Sequence, residues 1–189
     1  VDSTVVVRTP AVADDFALLV WLRERGFRIM KRAEVLGMVT RHSCALCVAG
    51  THGKTTTSTM LAHILHGSHL GASAFLGGIA NNYHSNLLLD TKSDLVVVEA
   101  DEFDRSFHHL TPYMSVITSM DADHLDVYGT EAAYRESFVH YAGLVQKALV
   151  VHTRVMNTRE WLKVKGERRK AKVYSYAVGE KADFYADNV

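Results

Sequence analysis

The sequence predicts an α/β fold, a mostly parallel sheet with flanking helices, and three observations carry that expectation. The apolar run Ala45-Leu46-Cys47-Val48-Ala49 passes directly into Gly50-Thr51-His52-Gly53-Lys54-Thr55-Thr56-Thr57. A second run, Leu95-Val96-Val97-Val98, has no polar interruption and ends in Glu99-Ala100-Asp101-Glu102. A third, Tyr113 to Thr118, ends in Ser119-Met120-Asp121-Ala122-Asp123-His124. Uninterrupted apolar strands suit a sheet covered on both faces, and ligands collect at the carboxyl ends of parallel strands.

Taken in order, Val5 to Arg8 reads as a short strand ended by Thr9-Pro10. Phe16, Leu19, Val20 and Arg23 recur at helical spacing from Asp14 to Arg25, with Asp14 as cap and Gly26 as stop. Phe27 to Met30 is a second strand and Lys31 to Thr40 a short helix around Val35, Leu36 and Val39. This strand-helix-strand-helix piece is too small to cover both faces of a sheet, so a boundary is expected at 42/43, with 43–189 as the main domain. Beginning with Val1, and with no loop opening its first strand, the chain reads as an excerpt of a longer protein.

After the strand at Ala45, the order is glycine loop and then helix, with Met60, Leu61, Ile64 and Leu65 at helical spacing up to Gly67. Glycines allow backbone N–H groups to approach an anion closely, and the helix start adds partial positive charge. The loop Gly50 to Thr56 is therefore expected to bind nucleotide phosphates, with Lys54 on the terminal ones and the Thr55 hydroxyl on magnesium. The usual motif has four residues before its Gly-Lys pair, whereas here only Thr51 and His52 separate Gly50 from Gly53, and Val48 stands at the usual glycine.

Gly67 to Asp90, dense in glycine and asparagine, is expected to be a looser region that favours turns and close backbone approach to a ligand. His63, His66 and His69 drift around a helix and are expected on a solvated face rather than on a metal. Glu99, at the end of a buried strand, is a magnesium candidate. His124, at the end of the next strand, is a candidate for a ligand or phosphate contact. Thr130 to Lys147 reads as a helix, Ala148 to Val151 as a strand, and Val173 to Ala177 as the last strand. Between them Arg154, Arg159, Lys163, Lys165, Arg168, Arg169 and Lys170 make a basic, solvated helix and loop.

The chain has 21 Lys and Arg against 21 Asp and Glu, so no global field favours nucleic acid or an anionic membrane. No apolar run approaches the ~20 residues of a membrane span, and a cytoplasmic location is the expectation. Cys44 and Cys47 lack a second ligand pair for zinc, and Cys47 lies in a strand; both are read as reduced, structural thiols.

Together, Ala49-Gly50-Thr51-His52-Gly53-Lys54-Thr55-Thr56-Thr57, Glu99 to Phe107 and Asp123-His124-Leu125-Asp126 resemble the Mur ligases of peptidoglycan synthesis. Thr9 to Val12 and Lys31 to Gly37 are similar to the end of that family's first domain. The resemblance implies a P-loop Mur-ligase central domain preceded by the end of a Rossmann-like domain. Residues 1–42 would close the UDP-substrate domain and 43–189 would form most of the central ATPase, with a third domain absent and the isolated excerpt inactive.

The resemblance also implies ATP and magnesium as cofactors, and UDP-N-acetylmuramate and L-alanine as substrates. Lys54 and His124 would be catalytic, with Thr55 and Glu99 on one magnesium and His124 on a second. His52, Gly77, Gly78, Asp104, Ser106 and Phe107 would face the substrate. Several branches carry a carbamylated lysine where this chain has Phe138, which favours the alanine-adding branch. Two other readings stay open: a ligase that joins a ready-made tripeptide to the same sugar nucleotide, and a P-loop nucleotide switch. A switch should release phosphate without the muramate substrate.

Overall fold

The computed structural model describes residues 4–158, 161 and 171–187. Strands β1 (Val5–Arg8) and β2 (Arg28–Lys31) form a two-stranded parallel sheet, accompanied by α1 (Ala17–Glu24) and α2 (Arg32–Arg41). Helix α1 starts three residues after the expected Asp14 cap, because the Asp14 carboxylate is taken by Arg8 at 2.8 Å. Helix α2 is held to the chain that follows: Thr40 Oγ1 donates to the Gly37 carbonyl and accepts from the Thr111 amide, both at 3.0 Å.

The remaining strands form one eight-stranded sheet in the order β10-β9-β8-β7-β3-β6-β4-β5. They are β3 (Cys44–Ala49), β4 (Ser73–Ala80), β5 (Ser85–Leu88), β6 (Leu95–Glu99), β7 (Met114–Ile117), β8 (Ala148–His152), β9 (Lys172–Val178) and β10 (Phe184–Ala186). Every neighbouring pair is parallel except β4 with β5. After β6 the chain crosses β3 to build β7 on its other side. The carboxyl ends of β6 and β7 therefore flank the glycine loop that leaves β3, at a reversal of strand order where α/β sheets bind ligands.

Alternation along β6 divides the core. Val96 and Val98 face a large cluster with Phe107, Phe138, Tyr141 and Leu149, whereas Val97 joins Ala62, Ala74 and Leu76 on the other face. The first cluster is covered by a 3-10 segment (Phe103–His109) and by α5 (Glu131–Leu144), the second by α3 (Lys54–His66). Two short helices, α4 (Leu125–Tyr128) and α6 (Thr153–Met156), complete the described elements.

Several expectations need correcting. The region from Gly67 to Asp90 is not mainly turns: it holds the β4–β5 hairpin, whose Ala74, Leu76, Ala80 and Leu88 are buried. Gly67 and Gly71 do sit at the turn after α3, but Gly77 and Gly78 lie inside β4, where the strand makes a close backbone approach to Glu99 and Thr55. On α3, Met60 and Ile64 are exposed, and Ser58 and Ala62 form the buried side because β4 packs against them. Helix α5 stops at Leu144, before Lys147, and β10 follows the strand read as last.

His63 Nδ1 lies 2.8 Å from the Tyr83 hydroxyl and the His66 ring meets Tyr83 edge-on, so this face is packed as well as solvated. Cys44 and Cys47 are free, and burial pushes the Cys47 thiol up to about 12. Of the basic segment only Arg154 is described; Arg159, Lys163, Lys165, Arg168, Arg169 and Lys170 lie outside the described residues. Among the described residues no helix is long and apolar enough to cross a membrane.

Candidate active site

Strand β3 delivers Gly50 at φ 137° and Gly53 at φ 80°, conformations that side chains rarely adopt. At Gly50 space is limiting as well, since an added Cβ would stand 2.0 Å from Thr118 Oγ1. The loop is braced from the end of β7. The Thr51 amide donates to the Ser119 carbonyl at 3.3 Å and the His52 amide to Ser119 Oγ at 2.8 Å. Thr51 Oγ1 donates to the Asp121 carbonyl and lies 2.8 Å from the buried Tyr134 hydroxyl.

Those bonds redraw the expected phosphate cradle, because the amides of Thr51 and His52 are turned to Ser119. Helix α3 begins at Lys54, and its first amides have no partner within the helix. Among the described residues no acceptor faces the N–H groups of Gly53, Lys54, Thr55 and Thr56. The open donors are thus those of the later part of the expected Gly50 to Thr56 loop.

Lys54 is turned back over the loop. Its Nζ donates to the Gly50 carbonyl at 2.7 Å, the Thr51 carbonyl at 3.3 Å and Glu102 Oε1 at 3.0 Å, with Glu102 Oε2 at 2.9 Å. The Glu102 side chain is only 1% exposed, and burial raises its carboxyl group above the usual range even though the Lys54 ammonium pulls it down. Among the described residues no hydrogen-bond donor is aligned on Oε2.

On the other side of the loop, Thr55 Oγ1 donates to Glu99 Oε1 at 3.0 Å, and the Gly77 amide donates to Glu99 Oε2 at 2.9 Å. Gly78 lies over Thr55, an added Cβ standing 3.3 Å from Thr55 Cγ2. A hydroxyl touching a carboxylate at a helix start is a hard-oxygen pair that fits magnesium, which takes one or two carboxylates and leaves other positions to phosphate and water. Among the described residues no group of three or more His, Cys, Asp or Glu forms a cage for a metal without those further ligands.

His124 is not at a strand end. Strand β7 stops at Ile117, and His124 lies beyond a loop, at φ 51° and leading into α4. Its Nε2 is 3.9 Å from Glu102 Oε1 and 3.8 Å from Asp123 Oδ2, and its ring packs edge-on against Phe103. Glu102 therefore stands between Lys54 and His124.

The residues expected to face a substrate divide. His52 is exposed, with Nε2 3.9 Å from Asp121 Oδ2. Asp104, at φ 51°, accepts from Lys31 Nζ at 3.1 Å and so ties the 3-10 segment to the first piece. Ser106 is half-buried and borders a small cavity with Glu99 and Arg32. Phe107 is a correction: its ring is fully buried, stacked on Tyr141 at 4.7 Å, and belongs to the core. Phe138 packs against it.

Two clefts flank the loop. One of about 430 Å³ is lined by Arg32, Phe75, Gly77, Asn86, Glu99 and Asp101 among others. The other, about 280 Å³, is lined by Thr118, Ser119, Asp121, Arg135, His152 and Arg154 among others. Sequence reasoning missed Glu102 and Ser119. Both stand inside quoted motifs, but only the turn after β6 and the loop after β7 reveal which way their side chains point.

Residues 48–189 match the family described as the Mur ligase middle domain. The UDP-N-acetylmuramate–L-alanine ligase of Parabacteroides distasonis is 54% identical over 189 residues, covering 100% of this chain and 40% of the relative. That of Porphyromonas gingivalis is 64% identical over 144 residues, 76% of this chain and 32% of the relative. Among solved structures, the UDP-N-acetylmuramate-alanine ligase of Thermotoga maritima superposes with a TM-score of 0.76 at 28% identity, over 96% of this chain and 40% of its own. The UDP-N-acetylmuramate:L-alanyl-gamma-D-glutamyl-meso-diaminopimelate ligase of Neisseria meningitides gives 0.79 at 24% identity, over 93% and 58%, a likeness of fold alone. The chain thus spans about two fifths of the length of its first relative.

Proposed function

The chain belongs to the Mur ligase family, and from that premise we propose that the protein carrying it joins the lactyl carboxylate of UDP-N-acetylmuramate to the amine of L-alanine at the expense of ATP. The observation that carries the reading is the contact of Thr55 with Glu99 beside Lys54, between two clefts at the reversal of strand order. The relatives that match this chain at 54% and 64% identity bear the name of that activity. Residues 1–42 are assigned to the end of the UDP-substrate domain and 43–189 to the central domain.

A carboxylate and an amine at neutral pH form a salt, so the acid needs a leaving group before an amide can form. A lactyl carboxylate oxygen attacks the γ-phosphorus of ATP, the bond to the β-γ bridging oxygen breaks, and ADP leaves. The amine of L-alanine then attacks the acyl carbon, releases phosphate and loses a proton. Such transfer is mainly positioning and charge neutralisation.

In this scheme Lys54 neutralises charge on the transferring phosphoryl group, and the open amides of Gly53 to Thr56 bind the others. Gly50 shapes the loop, and Thr51 and His52 brace it. Thr55 and Glu99 are the proposed holders of one magnesium and His124 of a second; the ions, when bound, would spread the phosphate charge. Gly77, Gly78, Asp104 and Ser106 are proposed on the substrate side, with His52 at the edge of the loop.

The test is phosphate release from magnesium ATP by the full-length protein with UDP-N-acetylmuramate and either L-alanine or the tripeptide. Release that requires both the muramate and L-alanine is the expected result. Release with the tripeptide instead, or without any muramate, would overturn it in favour of the recycling ligase or the switch.

A further inference from the structure

We propose that Glu102 is a positioning residue of the phosphoryl-transfer site, one that stays paired with Lys54 while nucleotide binds, so that phosphate oxygens replace the Gly50 and Thr51 carbonyls on the ammonium and leave the carboxylate in place. The proposal rests on the nucleotide-binding reading of the loop and adds a residue and a sequence of contacts to it.

An ammonium has three donors. Those of Lys54 go to two neutral carbonyls and one carboxylate. The carbonyls are the replaceable partners: they belong to the loop that a phosphate would approach, and a charged acceptor outcompetes a neutral one. The carboxylate is not replaceable in the same way. Its side chain is almost wholly inaccessible, and removing the partner of a buried charge is far more costly than rearranging a neutral hydrogen bond.

The position of Glu102 is itself fixed from behind. The Tyr128 hydroxyl donates to the Glu102 carbonyl, and Tyr128 is buried in α4, the helix that His124 leads. His124 Nε2 also lies 3.9 Å from Oε1. One carboxylate thereby lies against both proposed catalytic residues, and Lys54 Nζ stands 3.0 Å from Oε1 and 2.9 Å from Oε2, close to both of its oxygens.

The test uses the full-length protein with Glu102→Gln, which keeps the side chain's size and removes its charge. Binding of magnesium ATP is measured by calorimetry, turnover by phosphate release, and the reactivity of Lys54 by amine labelling and mass spectrometry. The expected result is an affinity within about threefold of wild type, a turnover about 10- to 100-fold lower, and faster labelling of Lys54 in the nucleotide complex. Tyr128→Phe, which leaves the carboxylate intact and releases the backbone behind it, should lower turnover in the same direction by about fivefold or less. Nucleotide binding at least about tenfold tighter in Glu102→Gln, with turnover unchanged, would overturn the proposal, because the carboxylate would then be competing with phosphate. Values equal to wild type in all three measurements would overturn it too. If the wild type itself binds no nucleotide, the reading of the loop fails and takes this proposal with it.

Discussion

The Gly77 amide donates to Glu99 Oε2 at 2.9 Å, and a methyl group on Gly77 would come within 2.4 Å of both Glu99 carboxylate oxygens. Strand β4 therefore presents bare backbone to the one carboxylate that also receives Thr55. A side chain at Gly77 would force the Glu99 carboxylate to move.

Gly77→Ala should displace Glu99 and weaken the magnesium site proposed for it with Thr55. Loss of a group that orients a metal ligand typically costs about 10- to 100-fold in metal affinity, so the magnesium concentration for half-maximal turnover should rise by about tenfold or more. Gly78→Ala is the control. Its Cβ would meet Thr55 Cγ2 at a tolerable 3.3 Å, and a smaller shift is expected. A magnesium titration of phosphate release with equal midpoints in Gly77→Ala and wild type would refute the assignment.

Lys54→Ala should lower turnover by at least about 100-fold, by analogy with the loss of an oxyanion donor. It should also destabilise the fold, because it leaves the Glu102 carboxylate buried without its cation, a defect worth about 3–5 kcal/mol in other buried pairs. The double variant Lys54→Ala with Glu102→Gln should recover part of that stability in a denaturant titration while remaining inactive. Recovery of activity, or no recovery of stability, would contradict the pairing.

Phe107→Ala separates a core residue from a substrate contact. The ring stacks on Tyr141 and meets Phe138 edge-on. Emptying its place should cost about 3–5 kcal/mol of stability, measured by denaturant midpoint. A large rise in KM for the sugar nucleotide with unchanged stability would return Phe107 to the substrate side.

The strand-loop-helix around Lys54 and the buried strand ending in Glu99 were legible because each is a local pattern: an apolar run of strand length followed by the residues its carboxyl end displays. Less legible was anything decided by another element. Ala74 and Leu76 alternate as a strand should, yet Gly77, Gly78 and the asparagines after them obscured the hairpin. The close backbone approach that this glycine density suggested is present at Gly77, but its neighbour is Glu99 of the same chain. Phe107 follows a site motif in the sequence and faces the core because the 3-10 segment turns it under α5. Ser119 braces the loop through a contact spanning 67 residues, which no spacing rule reaches.

The last prediction concerns pH and lies away from the site. His108 stacks on the Phe107 ring, and its Nε2 is 3.0 Å from both the carbonyl and the hydroxyl of Ser137 on α5. Burial lowers its affinity for a proton, the nearby His140, Arg105 and His109 add to that, and the Ser137 carbonyl works against it. An unfolded chain would protonate this ring near the ordinary value of 6.5, whereas the folded protein does so only at lower pH. In that interval the unfolded state binds more protons, so stability rises with pH. The contribution of His108 is fully present above the ordinary value and is lost as pH falls through the lowered one. His108→Gln can still donate to the Ser137 carbonyl but does not titrate. Between about pH 7 and pH 5 its stability, followed by urea unfolding, should fall less steeply than that of wild type. Identical slopes would show that His108 takes no part in the acid sensitivity of the fold.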